Sequence, residues 1–175
     1  MYDALILSGG RSRRLGGVDK PTTVIGGRTM LERVTAAVAG AQQVVVVGPE
    51  QDGGPVAAIA AGLARATAPD LVVLAADLPF LTSAAVRQLL AALEAGAAMA
   101  VDTEGRDQLL CAVWRSAALR DAIEAIDDPA GASMRALVGA CPDVVRLQLA
   151  GFPPPWFDCD TPDDLAQAQR WAAGG

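Results

Sequence analysis

The stretch that decides the fold runs from Tyr2 to Lys20 and reads YDALILSGGRSRRLGGVDK. Its apolar part, residues 2–7, predicts a buried strand, and a loop rich in glycine and arginine follows directly. Glycines let the backbone come close to a phosphate and turn its N–H groups inward. Arginines grip phosphate oxygens in a forked geometry, and Lys20 adds a compact positive charge. We therefore expect this loop to bind a nucleoside triphosphate, although it matches neither the Walker pattern nor G-x-G-x-x-G.

The rest of the chain alternates between strand-like and helix-like segments. Strands are predicted over residues 2–7, 43–47, 71–76, 98–103, 108–114 and 144–149. Helices are predicted over residues 30–39, 56–66, 82–95, 116–126 and 161–172, with a short one after Ser133. Repeated βα units imply a single α/β domain over residues 1–175, with a doubly wound and mostly parallel sheet.

The sequence makes more specific predictions for the second strand and the last helix. The four consecutive valines at residues 44–47 predict a strand that is buried on both faces. The last helix has a clear start, because Thr161 can cap it and Pro162 fits its first position. Asp163 and Asp164 then suit the positive end of the helix dipole.

Composition excludes several classes of function. The net charge of −6 argues against binding nucleic acid, which requires many Lys and Arg contacts to phosphate. The chain has no histidine, which excludes histidine bases, catalytic triads and histidine-ligated metal sites. No apolar run is long enough to span a bilayer, and the sequence begins directly with a strand-like segment. We therefore expect a cytoplasmic protein that makes no contact with membranes and whose three cysteines are free thiols.

An acidic residue, Asp77, follows the apolar segment at residues 71–76. Ligands in open α/β sheets bind at the carboxyl ends of the strands, so this carboxylate is well placed for function. Carboxylate oxygens suit Mg²⁺, which would bridge the oxygens of a triphosphate. The simpler alternative is a turn or cap residue, but Pro79, Thr82 and Ser83 make that role less necessary.

A second acidic pair, Asp158 and Asp160, precedes the last helix. The two residues alternate along an extended segment, so their side chains should point the same way. Either carboxylate is a candidate to complete the metal site with Asp77. The alternative is that they only form the turn and the cap ahead of the helix.

Two loops offer further candidate contacts. In the first, Asp52 precedes a glycine pair at the start of a helix and is a candidate to accept hydrogen bonds from a base or a ribose. The second, residues 105–110, is a polar hairpin in an apolar region. It is interpreted equally well as part of an acceptor pocket or as a simple turn.

Four motifs together resemble one family, the molybdopterin nucleotidyltransferases. The segment from LSGG at 7–10 to GGVDK at 16–20 is similar to their LAGG-x-S-x-R-M-G-x-D-K signature. GPVAAI at 54–59, ADLPFL at 76–81 and DCDTPDDL at 158–165 resemble their GPLAGI, x-D-M-P-F-L and D-x-[ND]-T-P-E-D-L segments, in the same order. The chain is therefore identified as a member of the MobA-like molybdenum cofactor guanylyltransferase family.

The resemblance implies a Rossmann-like nucleotidyltransferase fold and a reaction that transfers GMP from GTP to molybdopterin with Mg²⁺. It implies nucleotide contacts from a set of residues at these motifs: Leu7, Ser8, Gly9, Gly10, Lys20, Asp52 and Asp77. Lys20, Arg14 and Asp77 would be the catalytic residues, with Asp77 and Asp160 as metal ligands. The acceptor phosphate is already anionic, so no general base is needed, in agreement with the absence of histidine. Transient contact with other molybdenum cofactor proteins is a further expectation.

The chain departs from the family pattern at a few positions. Gly48 stands where an Asn is usual, and the acceptor-side segment, which usually has a Pro after the polar turn, reads Asp107-Gln108-Leu109. The first departure concerns base recognition, so a cytidylyltransferase for the same cofactor is the nearest alternative. Another nucleotidyltransferase with a phosphate acceptor is a further alternative. A non-catalytic nucleotide-binding module is an alternative of a different class, although the presence of Lys20, Asp77 and Asp160 argues against it.

Overall fold

The computed structural model describes residues 1–9, 14–15, 18–48 and 52–174, with the backbone alone for residues 14, 15, 18 and 19. Its centre is a six-stranded sheet. The strands are β1 (Tyr2–Leu7), β2 (Val44–Val47), β3 (Asp70–Ala75), β4 (Ala97–Val101), β5 (Asp107–Arg115) and β6 (Val144–Gln148).

The sheet is mostly parallel and has the strand order β6-β4-β5-β3-β1-β2. Strand β1 runs parallel to β2 and β3, and β6 runs parallel to β4. Only β5 is reversed among the six, because it is antiparallel to both of its neighbours, β3 and β4. The predicted doubly wound α/β fold is therefore confirmed.

The reversal of β5 follows from the tight turn that joins it to β4. The Asp102 carboxylate accepts hydrogen bonds from the backbone N–H groups of Glu104 at 2.8 Å and Arg106 at 2.9 Å. Gly105 has a φ of +79°, a left-handed conformation that glycine adopts without strain. A connection this short can only join antiparallel strands, since parallel strands need a crossover of a dozen or more residues.

Helices cover both faces of the sheet. They are α1 (Met30–Ala37), α2 (Gly54–Leu63), α3 (Ser83–Ala92), α4 (Ser116–Glu124), α5 (Met134–Gly139) and α6 (Pro162–Ala173). Helices α2, α4 and α5 pack on one face and α1 and α3 on the other, each with its own buried apolar cluster. Within the described residues, none of these helices has the length and hydropathy needed to cross a bilayer.

The predicted start of the last helix is confirmed. Thr161 Oγ1 accepts a hydrogen bond from the Asp164 N–H at 3.2 Å, and Asp164 Oδ2 accepts one from the Thr161 N–H at 2.7 Å. This reciprocal capping satisfies N–H groups that have no partner inside a helix. Pro162 occupies the first turn, where its missing N–H costs nothing.

The prediction that β2 is buried on both faces is wrong. Val45 and Val47 are buried, but Val44 is 36% exposed and Val46 is 42% exposed. The reason is topological, because β2 forms one edge of the sheet and only one of its faces is covered there. A run of valines does not reveal whether a strand lies at the centre or at the edge.

Helix α2 lies unusually close to β1, and Gly62 makes this approach possible. A methyl group added at Gly62 would lie 2.7 Å from Leu5 Cδ2 and still closer to Leu5 Cδ1. Leu5 is completely buried and so has no free space into which it could move. This contact packs α2, which begins at Gly54, against β1, the strand before the candidate phosphate loop.

We therefore expect Gly62→Ala to destabilise the fold by about 1–3 kcal/mol through overpacking. The matched control is Gly139→Ala at the end of α5, where no described atom lies within 4 Å of the added methyl group. This control should gain up to about 1 kcal/mol from helix propensity. Urea unfolding measures both variants, and a Gly62→Ala protein more stable than the unaltered chain would contradict the packing argument.

Candidate active site

A cavity of about 320 Å³ lies at the carboxyl ends of β1 and β3, beside the start of β5. This is the edge of the sheet at which open α/β folds bind ligands. The cavity is lined by Leu7, Ser8, Gly9, Lys20, Pro21, Ala75, Ala76, Asp77, Leu78, Asp107, Gln108, Leu109, Leu110, Cys111, Asp158 and Asp160.

Most of the residues singled out in the sequence meet at this cavity. They are Leu7, Ser8, Gly9, Lys20, Asp77, Asp158 and Asp160. Gly10 lies outside the described residues, and Arg14 is described only by its backbone, which pairs with Asp19 in a two-residue ribbon. Asp52 is exposed ahead of α2 and does not line this cavity.

The only lysine of the chain is the centre of the site. Lys20 lies in a short 3-10 turn, Lys20–Thr22, and is only 4% exposed. Its Nζ donates a hydrogen bond to Asp160 Oδ1 at 2.5 Å and lies 3.5 Å from Asp77 Oδ2. A buried ammonium is stable when it has such charged partners, so Lys20 joins three distant parts of the chain.

Backbone hydrogen bonds fix the loops that carry these side chains. The Ser8 N–H and hydroxyl both donate to the Val47 carbonyl oxygen, at 2.9 and 3.1 Å. The Ala76 N–H donates to the Leu7 carbonyl oxygen at 3.0 Å, which extends the pairing of β1 with β3. The Cys159 N–H donates to the Asp77 carbonyl oxygen at 3.2 Å. The two acidic segments are therefore connected directly through their backbones.

Aromatic packing behind the cavity holds the same two segments together. Phe80 follows Asp77, and Phe157 precedes Asp158. Both rings contact Trp171 of α6 edge-on, with centroid distances of 5.7 and 4.9 Å. Sequence analysis missed this cluster because its members are far apart in the chain and follow no periodic pattern.

The hairpin at residues 105–110 fits both of its proposed interpretations. It forms the β4–β5 turn, and Asp107, Gln108, Leu109 and Leu110 also line the cavity. Sequence analysis missed Cys111, the next residue of β5. Burial raises the pKa of the Cys111 thiol to about 12, so it contributes an apolar surface and no nucleophile.

The electrostatics of the site reflect three carboxylates around one ammonium. Burial raises the pKa of Asp77, and the Asp160 charge adds to this while Lys20 opposes it. The pKa of Asp158 is raised to about 6 by loss of hydration and by the charges of Asp160 and Asp77. Burial lowers the pKa of Lys20, but the hydrogen bond to Asp160 and the two carboxylate charges raise it by more. The cluster therefore carries excess negative charge, which a cation would relieve.

The carboxylates of the site fit a hard cation that is coordinated partly by the protein and partly by a substrate. Mg²⁺ is commonly held by one or two carboxylates, with substrate phosphates and water completing its coordination. Asp77 and Asp160 supply carboxylate oxygens that both face Lys20. Across the described ranges, no group of three acidic or cysteine side chains is arranged to hold a metal ion without other ligands.

A family model, curated relatives and a solved structure all relate this chain to the same family. The family model described as "MobA-like NTP transferase domain" matches residues 4–52 and 47–144. A molybdenum cofactor guanylyltransferase of Rhodopseudomonas palustris (strain BisB5) is 33% identical, over 97% of this chain and 93% of its own. A second protein of that name, from Acidiphilium cryptum (strain JF-5), is 37% identical over 73% of this chain and 74% of its own. The crystal structure of molybdopterin-guanine dinucleotide biosynthesis protein A from Archaeoglobus fulgidus is similar in fold. Its TM-score is 0.70 at 19% identity, over 99% of this chain and 100% of that one.

The raised pKa of Asp158 predicts how stability depends on pH. Its usual pKa is 3.8, and in the folded protein it is about 6. Between about pH 4 and 6 the folded state then binds more protons at this site than the unfolded state, so this contribution to stability falls as the pH rises.

We therefore expect Asp158→Asn to remove that loss of stability and to unfold at a higher urea concentration than the unaltered protein at pH 7. Measurement in EDTA keeps metal ions from the cluster. The control is Asp127→Asn, which removes an exposed carboxylate that lies outside the helices and the cavity. Carbon NMR titration of the Asp158 carboxyl gives an independent check. An apparent pKa near 4 would show that the cluster does not carry the proposed charge.

Proposed function

Because the chain belongs to the MobA-like NTP transferase family, we propose that it transfers GMP from GTP to molybdopterin and releases pyrophosphate. The observation that carries the proposal is the buried Lys20 ammonium between Asp77 and Asp160, at the edge of the sheet where nucleotides bind. Relatives at 33% and 37% identity bear the name molybdenum cofactor guanylyltransferase.

The triphosphate would bind above β1. Leu7, Ser8 and Gly9 line the cavity there, and the proposed contacts continue to Gly10. The Ser8 hydroxyl is held by the Val47 carbonyl oxygen, so the start of the loop is fixed before any nucleotide arrives. This rigidity lowers the cost of ordering the loop around its ligand. Asp52, beyond the end of β2, is proposed to contact the ribose or the base.

Mg²⁺ would be held by Asp77, with Asp160 as the proposed second carboxylate and Asp158 as the alternative. When bound, it would supply positive charge to the phosphate oxygens. Lys20 faces both Asp77 and Asp160. We propose that Lys20 turns toward the phosphates when a nucleotide and its cation bind, since both then compete for these carboxylates.

In the proposed reaction an oxygen of the acceptor phosphate attacks the α-phosphorus of GTP. The new P–O bond forms while the bond between the α-phosphorus and the bridging oxygen breaks, and pyrophosphate leaves with that electron pair. Catalysis then consists of positioning and charge stabilisation. Lys20 and Arg14 are proposed to stabilise the departing pyrophosphate. The attacking phosphate is already ionised, so the absence of histidine is no obstacle.

The proposed setting is the cytoplasm, where GTP is present and thiols stay reduced. Cys111, Cys141 and Cys159 are all free and buried. Transient contact with other molybdenum cofactor proteins remains part of the proposal, because molybdopterin must be delivered and the product removed.

A pyrophosphate-release assay with molybdopterin, comparing GTP, CTP, ATP and UTP, tests the proposed function. We expect GTP to be preferred by at least about 10-fold, as a site that hydrogen-bonds one base leaves polar groups unpaired with the others. Activity should disappear in EDTA and return with excess Mg²⁺.

The alternatives give different results in the same assay. A preference for CTP would assign the chain to cytidylyl transfer with the same site. GTP binding without release of pyrophosphate, in the presence of Mg²⁺ and molybdopterin, would contradict the enzymatic role.

A further inference from the structure

One arginine behind the candidate active site bonds to the backbone of the segments that carry its charged side chains. Arg33 belongs to α1, and its half-buried guanidinium donates hydrogen bonds to three carbonyl oxygens. Its Nε lies 2.7 Å from the Ile25 oxygen. Nη1 and Nη2 make longer contacts, each of 3.4 Å, to the oxygens of Pro79 and Gly26. All three acceptors are backbone atoms, so the described contacts of Arg33 hold the main chain in place.

The bond to Ile25 connects Arg33 with the segment that carries Lys20. Ile25 belongs to a hairpin, residues 24–29, whose two short strands are antiparallel. The turn that contains Lys20 lies directly ahead of this hairpin, and the Thr23 N–H donates to the Lys20 carbonyl oxygen at 3.0 Å. The Met30 N–H, at the start of α1, donates in turn to the Thr23 carbonyl oxygen at 3.0 Å. A shift of the 24–29 hairpin therefore moves the backbone that carries the Lys20 ammonium.

The bond to Pro79 connects Arg33 with the segment that carries Asp77. Only Leu78 separates Pro79 from Asp77, in the turn that follows β3. Arg33 therefore bonds the Lys20 segment on one side and the Asp77 segment on the other. Lys20 Nζ lies 3.5 Å from Asp77 Oδ2, and this distance depends on how the two segments are placed relative to each other.

Helix α6, which follows Asp160, packs against the same hairpin. A methyl group added at Gly26 would lie 2.5 Å from Arg33 Nη2 and 3.1 Å from Cβ of Ala172 in α6. Ile25 is completely buried in an apolar cluster that includes residues of α6. The segments of all three charged residues that meet at the site are thus in contact with the 24–29 hairpin or with Arg33.

The position of Arg33 on α1 is itself well fixed. The helix begins with a reciprocal cap, in which Thr29 Oγ1 accepts from the Glu32 N–H at 3.1 Å and the Thr29 N–H donates to the Glu32 carboxylate at 2.7 Å. Arg33 is the next residue. Its planar guanidinium presents several N–H donors in a rigid fork, so it can hold carbonyl groups that lie in different directions.

We propose that Arg33 is a positioning residue, which fixes the Lys20 ammonium relative to Asp77 through the backbone of both segments. Across the described residues, the lining of the candidate active site does not include Arg33, so it acts from behind the site. A misplacement of about 1 Å in a catalytic arrangement can lower the rate by up to about 100-fold. This inference rests on the proposed function and adds to it a residue outside all four sequence motifs.

The first test observes the Lys20 ammonium directly and needs no substrate. Lys20 is the only lysine of the chain, so protein labelled with ¹⁵N-lysine gives a single ammonium signal in the NMR spectrum. Arg33→Met removes every donor but keeps an apolar stem. In this variant the signal should shift, and its protons should exchange with water about 10-fold faster, as expected when a charge-assisted hydrogen bond is weakened. The control, Arg28→Gln, removes an exposed arginine of the same hairpin and should leave the signal unchanged.

The second test measures the rate of GMP transfer. Arg33→Met should lower kcat about 10-fold while the KM for GTP stays within about threefold, because the lost interaction belongs to the transition state. Arg33→Lys should recover part of the rate, since its ammonium keeps the charge and can bond one carbonyl oxygen. In a Lys20→Gln protein, adding Arg33→Met should lower the rate by no more than about twofold, because Arg33 acts through Lys20. Arg28→Gln should stay within about twofold of the unaltered rate.

Two results would overturn the positioning role. One is an unchanged ammonium signal in an Arg33→Met protein whose fold is confirmed by circular dichroism. The other is an equal loss of rate with and without Lys20, which would mean that Arg33 acts elsewhere. If Arg33→Met does not fold, Arg33→Lys takes its place in both tests, with a smaller shift expected.

Failure of the proposed function gives a different result. If the ammonium signal depends on Arg33 but the unaltered protein transfers no GMP, the positioning role of Arg33 stands and the catalytic proposal falls.

Discussion

The constraint on which the structure depends is the burial of one ammonium group among carboxylates from distant parts of the chain. Lys20 lies 57 residues from Asp77 and 140 from Asp160, yet its Nζ contacts both carboxylates. Burying the Lys20 ammonium without these carboxylates would be costly, so the pairing favours assembly of the Lys20–Thr22 turn, the turn after β3 and the segment before α6. The Cys159–Asp77 backbone hydrogen bond and the packing of Phe80 and Phe157 on Trp171 hold that assembly in place.

The carboxylates in this assembly outnumber the single ammonium group, so the site has excess negative charge. One ammonium is shared by two carboxylates, and a third, Asp158, has a pKa raised to about 6. We propose that a cation relieves this charge and that phosphate oxygens of the substrate complete its coordination.

Most of the secondary structure and part of the candidate site could be predicted from the sequence, because they depend on local sequence patterns. Apolar segments placed all six strands of the central sheet, and Thr161 and Pro162 marked the start of α6. The general rule for α/β sheets indicated that Asp77, at the end of β3, lies at a ligand site. What could not be predicted depends on long-range arrangement. The valines of β2 do not reveal an edge strand, and no local pattern indicates that Phe80 and Phe157 pack on Trp171. The choice between Asp158 and Asp160 as the second metal ligand also stays open, because both line the same cavity.

The central claim is that the buried Lys20 ammonium belongs to the catalytic centre. Its most direct test is the rate of GMP transfer from α-labelled GTP to molybdopterin by a Lys20→Gln protein whose fold is confirmed by circular dichroism. The exposed Asp163→Asn protein serves as the control for changes in surface charge near the site. The account predicts that Lys20→Gln lowers the rate by about 100-fold or more, the usual effect of removing a charge-stabilising group from a transition state. A folded Lys20→Gln protein that transfers GMP at nearly the unaltered rate would contradict it.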